Sequence, residues 1–232
     1  MDLVLLDLDG TLVDHDAAEH AALTGWIAAA GLPTTVDGRS TERLWHDLSE
    51  AAFVDYRTGR LSFLEQRRRR ISEFLGAVGR PVVDTTDEAL DREFAQYLHR
   101  YEAAWQPYPD AALALAEVGL HARVAVLSNG DHDQQVDKMR RTGLLDLVET
   151  VITSSDLGVA KPDPRAFLAS AQQLDCDPAR VLYCGDRLDV DARAASAAGM
   201  VGIWLDRTRR GEPDPGVAVI SSLAELPGFV RP

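Results

Sequence analysis

The stretch Asp7-Leu8-Asp9-Gly10-Thr11 directly follows the apolar run Leu3–Leu6. A continuous apolar run is typical of a strand buried on both faces of a parallel sheet, so the polar residues mark its carboxyl end. Residues i and i+2 of an extended chain point to the same side, and we expect the Asp7 and Asp9 side chains to converge. Close carboxylates favour a bound cation or a shared proton, although the same residues also suit a polar turn.

The rest of the sheet is predicted from further short apolar runs along the chain. Segments with helical character separate most of these runs, and this alternation indicates an α/β fold with a parallel sheet. The predicted strands are Val124–Leu127, Val148–Thr153, Val181–Cys184, Val201–Leu205 and Val217–Ile220, and the predicted helices are Ala111–Val118, Asp133–Thr142, Pro164–Leu174 and Asp191–Ala198.

A long interval without strand-like runs separates the first predicted strand from the second. It predicts a wholly helical insert with helices at Ala17–Ala30, Ser40–Tyr56, Ser62–Val78 and Thr86–Ala104. Ser62 and Glu65 have the spacing of a capping box at the start of the third helix. We therefore expect a core formed by residues 1–15 and 107–232 and a helical insert formed by residues 16–106. The arginine run Arg67–Arg70 in this insert is expected to be a solvated surface.

Charge and composition narrow the class of protein. The 24 Lys and Arg residues against 37 Asp and Glu residues give a net charge of −13, which disfavours nucleic acid and membrane surfaces as partners. The chain shows neither a membrane-spanning run nor a signal-peptide pattern, and two cysteines are too few for a disulfide framework. We expect a cytoplasmic protein. Lys138 and Lys161 are the two lysines of the sequence, so a specific use of a lysine is indicated.

Other polar motifs follow the predicted strands in the same way as Asp7. Ser128-Asn129-Gly130 follows the second strand and can form an anion cradle, although it equally suits a strand-ending turn. Lys161 lies between a turn and two prolines, where a fixed ammonium would serve as a point charge for a phosphate. Asp186 follows the strand Val181–Cys184, whereas Asp189 and Asp191 suit either helix capping or function.

Together these motifs resemble the haloacid dehalogenase-like hydrolase superfamily, in the subfamily with a C1-type helical cap. The residues that carry the resemblance are Asp7-Leu8-Asp9-Gly10-Thr11, Ser128-Asn129-Gly130, Lys161-Pro162, and Gly185-Asp186 with Asp191. The resemblance implies a Rossmann-like sheet core, a mobile cap inserted after the first strand, and Mg²⁺ as cofactor. Val190 stands where family members often carry Asn just before the last aspartate, which loosens the roles of Asp189 and Asp191.

The resemblance also implies a division of roles among these residues. Asp7 would be the nucleophile that forms an aspartyl-phosphate, and Asp9 would be the general acid and then the base. Thr11 and Asp191 would contact the residues that bind the metal and the phosphoryl group, without binding either directly. The residues implied to hold the phosphoryl group are Asp9, Gly10, Ser128, Asn129 and Lys161, and those implied to hold the metal are Asp7, the Asp9 carbonyl and Asp186.

The expected activity is Mg²⁺-dependent hydrolysis of a small phosphorylated metabolite. The chain looks closest to phosphatases of the pyrimidine 5'-nucleotidase, N-acylneuraminate-9-phosphatase and phosphoglycolate phosphatase type. Dehalogenases of the superfamily carry Tyr at the place of Asp9, and an insert without lysine excludes the Schiff base that phosphonatases of the superfamily use. A 2-haloacid dehalogenase and a non-catalytic binding protein on the same fold remain the alternatives.

Overall fold

The protein is described here by a computed structural model that covers residues 1–209 and 216–230. Two compact units make up this chain, one formed by the residues before Asp16 together with those from Gln106 onward, the other by Asp16–Trp105. In the first unit, strand β1 (Leu3–Leu6) is completely buried, as its continuous apolar sequence predicts.

Four helices form most of the second unit. They are α1 (His15–Ala30), α2 (Thr41–Arg57), α3 (Phe63–Ala77) and α4 (Asp87–Ala103). Helix α3 begins with the predicted capping box, because the Ser62 side chain accepts from Glu65 N and the Glu65 carboxylate accepts from Ser62 N. Thr86 is the N-cap residue of α4 but makes no side-chain capping hydrogen bond.

The prediction of a wholly helical insert is wrong at one place. Strands β2 (Thr35–Val36) and β3 (Arg39–Ser40) form a short antiparallel hairpin between α1 and α2. Asp37 and Gly38 connect the strands with φ angles of 49° and 77°. A two-residue turn with positive φ at both positions matches the twist of paired strands, and Asp-Gly favours it. The hairpin therefore has a local cause in the sequence.

The expectation of a solvated arginine run is wrong for Arg70. Its side chain is buried, and its guanidinium carbon lies 4.7 Å from the centre of the Trp45 ring and within 5.6 Å of the Phe53 and Phe94 rings. Four consecutive helical residues point in four directions around the helix axis, so one of them must face the interior of the unit. Stacking on aromatic rings accommodates that buried cation.

The first unit continues with an alternation of helices and parallel strands. Its elements are α5 (Ala111–Gly119), β4 (Arg123–Ser128), α6 (His132–Arg141), β5 (Val151–Thr153), α7 (Ser154–Leu157), α8 (Pro164–Gln173), β6 (Val181–Gly185), α9 (Ala192–Ala197), β7 (Val201–Leu205) and β8 (Ala218–Ile220). Strand β5 covers only the last three residues of the predicted strand Val148–Thr153, and a 3-10 turn at Leu145–Leu147 precedes that segment.

The strands form one parallel sheet in the order β5-β4-β1-β6-β7-β8. This is the predicted α/β, Rossmann-like architecture. Apolar side chains from α8 and α9, including Phe167 and Ala195, pack on Leu5 and Tyr183 of one sheet face. Because β1 lies between β4 and β6, the carboxyl ends of three central strands meet at one edge. In the described part of the chain, none of the helices has the length and apolar character needed to cross a membrane.

Candidate active site

The candidate site lies at the carboxyl edge of the sheet, within the first unit. Asp7 directly follows β1, Ser128 ends β4, and Asp186 directly follows β6. The backbone N–H of Asp7 donates to the Cys184 carbonyl at 2.9 Å, which continues the strand pairing up to the motif. Ligands bind at this edge of open α/β sheets, where strands end and loops begin.

Lys161 connects the carboxylates that follow two of these strands. Its ammonium lies 2.6 Å from Asp7 Oδ1, 2.8 Å from Asp191 Oδ1 and 2.6 Å from the Tyr183 hydroxyl. The lysine is 2% exposed. Burial lowers the pKa of Lys161, but the charges of Asp191 and Asp7 outweigh it and hold the pKa above its usual value. The lysine is therefore a fixed positive charge beside Asp7.

Asn129 fixes the backbone of Lys161 rather than presenting its side chain to the site. Its amide nitrogen donates to the Lys161 carbonyl at 2.8 Å, and its amide oxygen accepts from the Lys161 N–H at 2.8 Å. This reciprocal pair joins the loop after β4 to the loop that carries the lysine. The side chain of Asn129 is therefore a positioning group for Lys161.

Asp9 has a separate set of partners on helix α6. Lys138 Nζ lies 2.6 Å from Asp9 Oδ1, and Gln135 Nε2 donates to Asp9 Oδ2 at 2.9 Å and to Ser128 Oγ at 2.8 Å. Burial raises the pKa of Asp9, but the charges of Lys138 and His15 and the hydrogen bonds from Lys138 and Gln135 outweigh it and lower the pKa to about 2.

Thr11 and Gly10 connect the first motif to Asp186. The Thr11 hydroxyl donates to Asp7 Oδ2 at 3.2 Å and accepts from the Asp186 N–H at 3.1 Å. The backbone N–H of Gly10 donates to the Val13 carbonyl at 2.9 Å. A Cβ atom on Gly10 would stand 2.5 Å from Asp186 Oδ2, so the absence of a side chain makes room for that carboxylate.

Three carboxylates converge next to Lys161. Carboxylate oxygens of Asp7, Asp186 and Asp191 lie within 4.8 Å of one another. Burial, together with the neighbouring charges of Asp191 and Asp9, raises the pKa of Asp7 to about 6 against the opposing charge of Lys161. Burial and the charges of Asp7 and Asp191 likewise raise the pKa of Asp186 well above its usual value. A hard divalent cation such as Mg²⁺ prefers oxygen ligands, and the donor set fits one.

The structure separates Asp191 from Asp189. Asp191 is 1% exposed, and its Oδ2 accepts from the Arg187 N–H at 3.0 Å while its Oδ1 faces Lys161. It precedes α9 without capping it through its side chain. Asp189 is 79% exposed and pairs with Arg193 one helical turn later, outside the site. Asp191 thus contacts Lys161 from within the protein, whereas Asp189 faces solvent.

Sequence reasoning did not assign three residues that the structure brings into this network. They are Lys138 and Gln135, which contact Asp9, and Tyr183, which contacts Lys161. The scarcity of lysine was a usable signal, because both lysines of the chain are buried at the site. No sequence pattern singles out Gln135 or Tyr183, since each is brought to the site by the packing of its element.

Known proteins that are similar to this chain include phosphatases and a dehalogenase. A glyceraldehyde 3-phosphate phosphatase from Methanopyrus kandleri is 33% identical over 218 residues, covering 91% of this chain and 87% of the relative. A phosphoserine phosphatase from Thermus thermophilus is 30% identical over 233 residues, covering 93% and 92%. The crystal structure of a 2-haloacid dehalogenase from Pseudomonas syringae has a TM-score of 0.71 and 28% identity, covering 98% and 97%.

The match to a family extends over most of the chain. Residues 1–199 match the haloacid dehalogenase-like hydrolase family, a range that includes every site residue described above. The motif residues Asp7, Ser128 and Asp186 lie at the ends of β1, β4 and β6, in that order along the chain. The chain therefore belongs to the haloacid dehalogenase-like hydrolase family.

Proposed function

We propose that the protein is a Mg²⁺-dependent phosphatase that hydrolyses a small phosphorylated metabolite through an aspartyl-phosphate on Asp7. The observation that carries the proposal is the pair of carboxylates Asp7 and Asp9, each held by its own buried lysine. A nucleophile and a separate acid–base group are what a phosphate ester with a poor leaving group requires. The relatives named as phosphatases of glyceraldehyde 3-phosphate and phosphoserine support the same class of substrate.

In the first step, a carboxylate oxygen of Asp7 attacks phosphorus and the bond from phosphorus to the ester oxygen breaks. Asp9, which is ionised in the free protein, takes up a proton as the substrate binds and passes it to the departing alkoxide, so the alcohol leaves neutral and Asp9 is ionised again. Lys138 and Gln135 stabilise that ionised form, because each donates to one of its oxygens. Asp7 then carries the phosphoryl group as an acyl phosphate.

In the second step, the Asp9 carboxylate takes a proton from water while the water oxygen attacks phosphorus. The bond between Asp7 and phosphorus breaks, which releases inorganic phosphate and regenerates the Asp7 carboxylate. The proton that Asp9 takes from water is then available for the next leaving group or returns to solvent. Lys161, fixed by Asn129 and Asp191, and the Ser128 hydroxyl supply fixed positive charge and a hydrogen bond to the phosphoryl oxygens in both steps.

The carboxylates of Asp7 and Asp186, with the Asp9 carbonyl, would hold Mg²⁺, and Asp191 would orient Lys161 behind them. When bound, the cation supplies positive charge that screens phosphoryl oxygens from the attacking carboxylate. The Thr11 hydroxyl contacts both the Asp186 backbone N–H and the Asp7 carboxylate, and it thereby fixes their relative positions.

A first experiment measures phosphate release from p-nitrophenyl phosphate, glyceraldehyde 3-phosphate and phosphoserine, in Mg²⁺ and in EDTA. We expect metal-dependent release that Asp7→Asn abolishes, because an amide cannot form the acyl phosphate. Asp189→Asn removes an exposed carboxylate outside the site and is the matched control. It is expected to retain activity.

A dehalogenase is the second candidate, favoured by the likeness to the 2-haloacid dehalogenase structure. Halide departs without a proton, so dehalogenation requires no acid–base group at the position of Asp9. Halide release from 2-chloropropionate in EDTA, with no phosphate release from any of the three esters, would contradict the proposed function.

A further inference from the structure

We infer that Lys138 and Gln135 are positioning residues that hold the Asp9 carboxylate in place for proton transfer to the leaving group. The inference deepens the proposed function and rests on it, since it gives Asp9 the acid–base role. It assigns a task to the second lysine of the chain and to a glutamine that no motif identified. We call Lys138 and Gln135 the Asp9 clamp.

The Asp9 clamp contacts both oxygens of the Asp9 carboxylate. Lys138 and Gln135 are three residues apart on α6, so their side chains project from the same side of the helix. One donates to Asp9 Oδ1 at 2.6 Å and the other to Asp9 Oδ2 at 2.9 Å. With both oxygens held, rotation of the carboxylate is restricted. Orientation of a reacting group is a large part of catalysis, and a misplacement of about 1 Å can cost on the order of a hundredfold in rate.

The clamp is itself fixed to the neighbouring loop. The second hydrogen on Gln135 Nε2 goes to Ser128 Oγ at 2.8 Å, so one amide joins Asp9 to the end of β4. Gly130 makes this approach possible, because a Cβ there would stand 3.0 Å from Gln135 Nε2. The Asp9 carboxylate is thereby held relative to the loop that carries the expected phosphoryl-binding groups.

The choice of lysine at this position has a chemical reason. Arginine supplies the other 22 of the 24 basic residues, since 24 − 2 = 22. A guanidinium binds both oxygens of a carboxylate in a planar fork, whereas an ammonium is a point donor that engages one. Lys138 therefore engages Oδ1 alone, and Oδ2, which accepts one amide hydrogen bond from Gln135, keeps a second lone pair for the proton. Purely structural pairs elsewhere in the chain, such as Arg123 with Glu149, use the fork.

The inference predicts an effect that depends on the leaving group. Phenolate is a strong base and needs a proton to leave, whereas 2,4-dinitrophenolate leaves unaided. If the clamp serves Asp9, loosening it slows phenyl phosphate far more than 2,4-dinitrophenyl phosphate. A lysine that contacted the phosphoryl group directly would affect both esters equally, because they share that group.

The experiment compares kcat/KM for the two esters, in saturating Mg²⁺, for Lys138→Met and Gln135→Leu. Arg140→Met removes an exposed cation from the same helix and is the matched control. Asp9→Asn supplies the reference for complete loss of acid catalysis, which is worth on the order of 10²–10⁴-fold. For Lys138→Met we expect a loss of about tenfold to a hundredfold on phenyl phosphate and under about threefold on the dinitrophenyl ester. Gln135→Leu should show the same selectivity with a smaller loss.

Combining Lys138→Met with Asp9→Asn gives an independent check. The double variant should be no slower on phenyl phosphate than Asp9→Asn alone, because a clamp without its carboxylate has nothing to position. Equal losses on both esters in the folded single variants, or additive losses in the double variant, would overturn the inference. The proposed function fails separately, if the wild-type protein and Asp7→Asn release the same phosphate.

Discussion

At the scale of single residues, Gly10 shows how closely the first motif approaches Asp186. Its φ of +86° lies in the region that residues with a Cβ avoid, and a Cβ would stand 2.5 Å from Asp186 Oδ2. Two separate constraints therefore require glycine here, one from the backbone and one from the neighbouring carboxylate. The second constraint links this position to the proposed metal site.

We expect Gly10→Ala to lose Mg²⁺ affinity in addition to stability, because the new methyl group displaces Asp186. Gly143 is a matched control, since it has a φ of +72° and nothing within 4 Å of the added Cβ. Gly143→Ala should cost only the backbone strain, on the order of 1–2 kcal/mol. Urea unfolding gives the stability of each variant and calorimetry gives its Mg²⁺ binding. Unchanged Mg²⁺ affinity in folded Gly10→Ala would contradict the expected displacement.

At the scale of elements, Asp110 joins three segments at one end of the sheet unit. It precedes α5, yet its carboxylate accepts two bonds from Arg207 after β7, each at 3.0 Å. It also accepts from the Ser222 hydroxyl at 2.7 Å and from the Leu223 N–H at 2.9 Å. Burial raises the pKa of Asp110, but these bonds and the Arg207 charge outweigh it and lower the pKa below its usual value.

Because the pKa of Asp110 is lowered, its contribution to the free energy of unfolding depends on pH in the acid range. Because the unfolded chain binds this proton more tightly, the contribution of Asp110 is complete above the unfolded pKa of about 3.9. It is lost as the pH falls through the lower folded-state pKa. We expect Asp110→Asn to reduce the free energy of unfolding by about 1–3 kcal/mol at neutral pH and by less in acid.

Urea unfolding at neutral pH and below about pH 4 tests the Asp110 prediction. Asp137→Asn is the control, since its exposed carboxylate pairs only with exposed arginines of α6 in the described contacts. Such surface pairs are worth about 0–1 kcal/mol. If Asp110→Asn lowers the free energy of unfolding equally at both pH values, the stabilising role of the ionised Asp110 carboxylate is contradicted.

At the scale of the whole molecule, the site gathers three buried or half-buried carboxylates of a chain whose net charge is −13. The pKa of Asp186 is raised, which means that its ionised form destabilises the fold at neutral pH. Stability and the proposed metal binding are therefore opposed, because the carboxylates that repel one another are the same ones that we propose as ligands.

We expect Asp186→Asn to unfold at a higher temperature than the wild type in EDTA, because the amide removes one buried like charge. Mg²⁺ should raise the unfolding temperature of the wild type and leave the variant nearly unchanged. At a hundred times the dissociation constant, a single bound ion stabilises by about 2.7 kcal/mol. Differential scanning calorimetry in both buffers gives the comparison. An unfolding temperature of Asp186→Asn below that of the wild type in EDTA would contradict this prediction.

Much of the fold was predictable because its signals are local. The buried strand Leu3–Leu6 was recognised from its unbroken apolar run, and the capping box at Ser62 from the spacing to Glu65. The hairpin at Asp37-Gly38 has an equally local signal, since Asp-Gly favours the positive φ angles that its turn requires. The burial of Arg70 was not readable, because which face of a helix is covered depends on the elements packed against it.

The α/β class and the motif residues at the strand ends can be predicted from the amino-acid sequence, because strand periodicity and turn chemistry act over a few residues. Which of those groups contact one another depends on the tertiary fold. Lys138 reaches Asp9, more than a hundred positions away, because β4 pairs with β1 and α6 begins where β4 ends. Asp191 faces Lys161, whereas Asp189, two residues earlier after the same strand, faces solvent. Contacts between strand ends are set by the order of strands in the sheet, which no local pattern encodes.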